Sequence, residues 1–267
     1  MQHLGLTVTK PRVVQKDTAL TAMAFFLGNP RGWQMKGWTE VERQKFIRSL
    51  KACNNLSPSV IIPHGCYLIN LASTDSGILA NSRKRIREEL TLVSQLGLCF
   101  YVLHPGSAPD GTSALQRLTE ELKGLCGDFP SVTILLENMT GGNKIGAKLS
   151  DLAYLLKHCE VNNLGVCLDT AHCWGEGHAM DRLLDDFDQI IGLQHLKAIH
   201  LNDSKATMGS RRDLHENIGK GKISQSFWNK FLTDPRIAHI PTVLETPSNC
   251  LDSVRAIASN GQSSLAS

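Results

Sequence analysis

The stretch LGVCLDTAH (164–172) is an apolar run closed by an aspartate, with a histidine three positions further on. The same shape recurs through the chain. SVIIP (59–63) is followed directly by His64, and CFYVLH (99–104), VTILLE (132–137), LKAIHL (196–201) and PTVLE (241–245) each carry a histidine or carboxylate at or just before their last position. Two further runs, HLGLTV (3–8) and TAMAFFL (21–27), bring the number to eight. Most are continuously apolar rather than alternating, which is the pattern of parallel strands covered on both faces.

Helical patterns fall between these runs: Thr39–Lys51, Ser82–Leu96 with Ser82 as a candidate N-cap, Leu115–Cys126, Leu149–Cys159, Met180–Ile191 and Gln225–Leu232. Strand–helix alternation repeated about eight times predicts an α/β fold of the (β/α)8 TIM-barrel type. An open doubly wound sheet would bring a glycine-rich phosphate loop after the first strand, and none is present. Only TKPRVVQKD separates the first two runs, so the first β–α unit reads as shortened. No linker or repeat divides the 267 residues, so one domain is expected over 1–267. The end of the chain, SNGQSSLAS, is polar, and a flexible tail is expected from about residue 250.

A 42% hydrophobic and 20% charged composition supports a large core and excludes wholesale disorder. The net charge of +3 is too small to indicate a nucleic-acid partner by itself, so any such reading must rest on local features. The eight cysteines form no CxxC pair and several lie within apolar runs, which points to reduced, buried thiols in a reducing compartment. The start, MQHLGLTVTKPR, has no signal-peptide core, and no apolar run approaches the roughly 18 residues of a membrane span. An intracellular protein without a membrane partner is the expectation.

Nine side chains with metal-binding chemistry stand at or just beyond the run ends: His64, His104, Glu137, Asp169, His172, His200, Asp213, His215 and Glu245. A lone strand-end histidine is more often a satisfied polar group than a ligand, and a lone carboxylate more often a cap or ion-pair partner. Six of eight runs behaving this way together is a poor accident. In a barrel, these positions gather at the C-terminal face, where catalytic groups sit. One zinc takes about four ligands including water, so nine suffice for two or three ions with a bridging carboxylate. The lack of cysteine among them favours catalytic over structural sites. Clustered divalent ions suit phosphodiester hydrolysis, because they neutralise the phosphate and activate water.

The segments PHGCYLINL (63–71), HPGS (104–107), LLEN (135–138), GVCLDTAH (165–172), HLNDSKATMGSRRDLH (200–215), ENIGKGKI (216–223) and IPTVLETP (240–247) follow one another as in a known family. From about residue 21 onward the chain resembles the endonuclease IV family of apurinic/apyrimidinic (AP) endonucleases. The resemblance implies a DNA-repair hydrolase of base excision repair, cutting duplex DNA 5′ to abasic sites and leaving a 3′-hydroxyl and a 5′-deoxyribose phosphate. A 3′-phosphatase or 3′-phosphodiesterase activity would be compatible with it.

It further implies three zinc ions, although histidine with carboxylate suits manganese as well at one or more positions. His64, His104 and Glu137 would hold the first. Glu137, Asp169, His200 and Glu245 would hold the second, with Glu137 bridging, and His172, Asp213 and His215 the third. Glu137, Asp169 and Glu245 are thereby the expected catalytic carboxylates. Arg31, Tyr67 and Leu68 match the family's DNA-probing positions, while Asn202, Lys205, Ser210 and Arg211 would either contact phosphate or orient the metal loop. The implied partner is double-stranded DNA bearing abasic sites, bound by a monomer. The implied compartment is the nucleus or mitochondrion of a eukaryote, or the cytoplasm of a bacterium.

The chain departs from the family pattern at Thr7, Ala108 and Leu214, where a histidine, a second histidine and a basic residue are usual, and in ENMTGGN (137–143). Two alternatives stand beside this reading: a TIM-barrel divalent-metal sugar isomerase, and a DNA-damage-binding homologue with reduced turnover.

Overall fold

The computed structural model describes residues 1–8, 14 and 19–265. All eight apolar runs become strands: β1 (Leu4–Val8), β2 (Ala22–Phe26), β3 (Ile61–His64), β4 (Phe100–Leu103), β5 (Thr133–Glu137), β6 (Leu164–Asp169), β7 (Leu196–His200) and, after a short hairpin of β8 (Asp203–Ser204) and β9 (His215–Glu216), β10 (Thr242–Leu244). Each of the eight pairs in parallel with its sequence neighbours, and β10 closes the ring between β7 and β1. The chain is a (β/α)8 TIM barrel. Phe25, Ile61, Ile62, Tyr101, Val102, Ile134, Leu135, Val166 and Ile199 are buried completely, as strands covered on both faces require.

The helices are α1 (Glu40–Lys51), α2 (Ser76–Gln95), α3 (Thr112–Asp128), α4 (Leu149–Cys159), α5 (Thr170–Glu176), α6 (Leu183–Ile190), α7 (Gln225–Thr233) and α8 (Leu251–Leu265). α1 starts in a capping box: Glu42 N–H donates to Thr39 Oγ1, and the Glu42 carboxylate accepts from the Thr39 N–H. α2 begins earlier than the sequence suggests. Asp75 is its cap, accepting from the Ile78 N–H at 2.8 Å, and Ser82 lies inside the helix, fully buried. α5 is too short to leave a periodic signal, and its cap is Asp169 itself.

The flexible tail expected from about residue 250 is corrected by α8. Leu251 and Val254, three apart on one helical face, are buried, and the helix packs on α7. That apolar stripe outweighs the polar composition around it. The expected shortened unit after β1 lies mostly outside the described residues; Val14 is buried and donates its N–H to Ser49 Oγ in α1.

Candidate metal centre

Closing the barrel brings the strand ends together. His64 ends β3, His104 follows β4, Glu137 ends β5, Asp169 ends β6, His200 ends β7 and Glu245 follows β10. All stand at the C-terminal face, where strand-end side chains point toward a shared axis. His172 comes from the first turn of α5, while Asp213 and His215 come from the return of the β8–β9 hairpin.

Glu137 is the hub and is 1% exposed. Its Oε2 lies 3.1 Å from His64 Nε2 and 3.3 Å from His104 Nε2. Its Oε1 lies 3.2 Å from His200 Nδ1 and 3.3 Å from His172 Nδ1. His200 Nδ1 is also 3.2 Å from Glu245 Oε2. On the other side, Asp213 bridges His172 Nε2 at 3.2 Å and His215 Nε2 at 3.0 Å. Donor atoms of His64, His104 and Glu137 lie within 4.8 Å of one another; so do those of Glu137, Asp169, His200 and Glu245, and those of Asp169, His172 and His215. All nine expected ligands are therefore in one connected cluster.

Backbone carbonyls fix how the imidazoles are turned. His64 Nδ1 is 2.8 Å from Gly65 O, His172 Nδ1 is 2.8 Å from Asn138 O, and His215 Nδ1 is 3.2 Å from Glu245 O. A carbonyl can only accept, so Nδ1 carries the proton in each and the Nε2 lone pair faces the cluster. The Nε2 atoms of His172, His200 and His215 are buried without a well-formed hydrogen bond, those of His172 and His215 facing the Asp213 carboxylate. Buried polar atoms without a partner are costly, and a cation would satisfy those facing the cluster. Four carboxylates in one site need the same compensation. The donor set thus fits several divalent ions, with imidazole and carboxylate the chemistry that zinc takes.

Without ions the histidines carry the balance of charge. Burial disfavours their protonation, but the neighbouring carboxylates outweigh it for His64, His172 and His215, and for His200 with the help of Cys167. The first three lie above, or well above, the ordinary histidine value and His215 reaches about 9; His200 is also raised well above it. Burial wins only at His104, which is lowered. For Glu137 burial is opposed by His200 and His104, and its carboxyl is held well below the usual range.

Asp169 has two jobs. Oδ1 caps α5 by accepting from the His172 N–H at 2.7 Å, and Oδ2 accepts from Asn202 Nδ2 at 2.7 Å. Of the two roles expected for Asn202, phosphate contact and orientation of the metal loop, its position fits the second. It is fully buried, and its Oδ1 accepts from the Glu245 N–H at 2.9 Å, so it holds the Asp169 carboxylate and the Glu245 backbone. Asn138 is a supporting residue that sequence reasoning missed. Its side chain holds both the N–H and the C=O of Asp169. Thr7 also reaches the cluster, its hydroxyl 3.4 Å from Glu245 Oε1.

Around this centre, Tyr67 is 40% exposed and stacks on His104 with ring centroids 5.3 Å apart. Burial and the carboxylates of Glu245 and Glu137 hold its hydroxyl well above the ordinary phenol range, so it stays neutral. Leu68 follows it, half-buried, and Arg31 stands exposed on the adjoining loop. Lys205 and Arg211 are exposed, with Lys205 Nζ 3.7 Å from Glu216 and Arg211 Nε 3.5 Å from Glu176. Ser210 is half-buried and its Oγ has no hydrogen-bond partner. Leu214 is exposed and Ala108 half-buried.

A TIM barrel with a polycarboxylate, polyhistidine cluster at its C-terminal face defines a class: barrel enzymes built to hold several metal ions. Within it, a family model described as a xylose isomerase-like TIM barrel matches residues 15–265. The chain is 37% identical over 242 residues to a probable endonuclease 4 of Chlorobium limicola, covering 85% of this chain and 82% of that one. It is 35% identical over 241 residues to apurinic-apyrimidinic endonuclease 1 of Saccharomyces cerevisiae, covering 86% and 66% respectively. The crystal structure of endonuclease IV from Thermus thermophilus superposes with a TM-score of 0.83 at 28% identity, covering 97% of this chain and 99% of that one. The chain belongs to the endonuclease IV family and is a DNA-cleaving hydrolase, an AP-site repair endonuclease. Among the described residues, no helix is long and apolar enough to cross a membrane.

Proposed function

We propose that the protein hydrolyses the phosphodiester 5′ to an abasic site in duplex DNA, leaving a 3′-hydroxyl and a 5′-deoxyribose phosphate, with three zinc ions. The observation that carries this is the chaining of three donor groups through Glu137 and Asp169, with Asp213 joining His172 and His215. His64, His104 and Glu137 would hold one ion; Glu137, Asp169, His200 and Glu245 a second; His172, Asp213 and His215 a third. Such ions neutralise a phosphodiester and bring the pKa of water from 15.7 to roughly 7.

The chain itself supplies placement. Gly65 O, Asn138 O and Glu245 O hold the three imidazoles in the tautomer that presents Nε2, and Asn202 keeps Asp169 and Glu245 from turning away. Arg31, Tyr67 and Leu68 flank the cluster and would enter the duplex at the gap left by the missing base. Stacking is already lost there, so insertion costs little. Lys205 and Arg211 are exposed and would meet phosphates on the far side, with Ser210 beside them.

The test is incubation with a duplex carrying one tetrahydrofuran abasic analogue. Incision 5′ to the analogue, leaving a 3′-hydroxyl and lost in Glu137→Ala, is expected together with about three zinc ions per chain. A cut 3′ to the analogue, or full activity in Glu137→Ala, would overturn the assignment.

A further inference from the structure

α2 turns three polar side chains inward, Ser82, Arg85 and Glu89, at positions i, i+3 and i+7. Arg85 and Glu89 are each 1% exposed. Burying an ion pair is costly, and an apolar pair of similar volume commonly serves stability as well or better. Arg85 Nη1 is moreover buried with no hydrogen-bond partner. Stability alone does not account for the pair.

Its contacts do. Arg85 Nε donates to Glu89 Oε1 at 3.0 Å, and Arg85 Nη2 donates to Asn29 O at 3.2 Å. Glu89 Oε2 accepts from the Cys66 N–H at 3.2 Å and from the Tyr101 hydroxyl at 2.5 Å. Ser82 Oγ accepts from the Asn70 N–H at 2.9 Å. One end of the network therefore grips the loop after β2, two residues from Arg31. The other grips the loop after β3, next to Tyr67 and Leu68. The two loops are also joined directly, by Tyr67 N–H to Pro30 O at 2.9 Å and Cys66 Sγ to Pro30 O at 3.2 Å.

Glycines open each loop where the network passes beneath. A Cβ on Gly28 would come within 2.8 Å of Arg85 Nη2, and one on Gly65 within 2.5 Å of the Tyr101 hydroxyl. The loops lie flush on the buried charges.

We propose that Arg85 and Glu89 are positioning residues that lock the Arg31 loop and the Tyr67–Leu68 loop into one rigid probing surface, so that engagement of abasic DNA, not the chemical step, depends on the pair. This rests on the reading of Arg31, Tyr67 and Leu68 as DNA contacts. Rigid placement matters because ordering two loops at the moment of binding would draw on binding energy.

The test uses the whole enzyme with Arg85→Met/Glu89→Leu, which removes both charges together and strands neither. KM for the tetrahydrofuran duplex should rise about tenfold, with kcat within about twofold and metal content per chain unchanged. Adding Tyr67→Ala, which raises KM alone, should give less than the product of the two effects, because both act through one surface. Unchanged KM in the double variant, beside a raised KM in Tyr67→Ala, overturns the proposal and leaves the DNA-contact reading standing. Unchanged KM in Tyr67→Ala overturns that reading and the proposal with it. Parallel loss of kcat and metal assigns the pair a general structural role, again against the proposal. If the double variant does not fold, Tyr101→Phe removes one hydroxyl from Glu89 without touching charge. A KM rise of about twofold to threefold is then expected, and no change is fatal to the idea.

Discussion

The carboxamide of Asn202 is spent at both ends on the metal-type cluster, Nδ2 on Asp169 and Oδ1 on the Glu245 N–H. Asn202→Leu keeps the volume, but frees Asp169 Oδ2 and leaves a buried N–H unpaired. Hydrogen-bond partners that hold metal ligands in place are typically worth about 10- to 100-fold in metal affinity. A chelator-competition titration of the variant should show a loss of that size, and an affinity equal to wild type would remove Asn202 from the support of the site. The residue scale also marks where sequence stops being informative. In HLND, His200 is legible because it closes an apolar run, whereas the asparagine two places on reads equally as a phosphate contact or as a support of the metal loop. Depth decides its role, and depth depends on β7, β10 and α5 meeting, which no local pattern encodes. Asp169 shows the converse. Capping and ligation read as competing roles, yet one oxygen caps α5 while the other faces the site.

At the scale of elements, the strands were legible because their signal is continuous apolarity, and the ends of those runs then placed six of the nine cluster residues. Helices were legible where their apolar stripe is long, as in α4, whose bounds match the expectation. They were not where tertiary contact overrides composition. α2 extends six residues before Ser82 because Asp75 caps it and the helix carries the Ser82–Arg85–Glu89 stripe against the loops. α8 hides Leu251 and Val254 among serine, asparagine and glycine, yet both are buried. Leu251→Ala should therefore cost about 2–5 kcal/mol, as a buried large-to-small change does. In a chain of this size that lowers the thermal midpoint by roughly 5–15 °C. A midpoint within a degree of wild type would mean that α8 contributes nothing to the folded barrel. Incision per folded molecule should be unaffected, since neither residue belongs to the cluster.

For the whole molecule the decisive quantity is the charge concentrated on one face of the barrel. Glu137, Asp169, Asp213 and Glu245 place four carboxylates around a common centre in a chain of net charge only +3. In the metal-free protein, histidines answer that charge. Burial opposes it, but the carboxylates prevail, with Cys167 adding to them at His200; His64, His172 and His200 are raised, and His215 is raised to about 9. A histidine raised in this way keeps its proton to higher pH than a free imidazole, and His215, at about 9, is protonated at neutral pH. An ion can take the nitrogen only by displacing that proton, because metal ligands must be deprotonated. Zinc and protons thus compete for the same sites, and apparent zinc affinity should rise with pH, with His215 giving up its proton at about 9. Titration of chelator-stripped protein with zinc at pH 7, in two buffers of different ionisation enthalpy, should show release of at least the proton of His215, with the other raised imidazoles adding to it. Release of less than one would mean that these nitrogens are not the ligands. Zinc should also raise the thermal midpoint, because it binds the assembled face and not the unfolded chain, where the nine groups are scattered over more than 180 positions. The barrel and its ions then stabilise one another: closing the strands gathers the carboxylates, and the ions offset the repulsion that gathering creates.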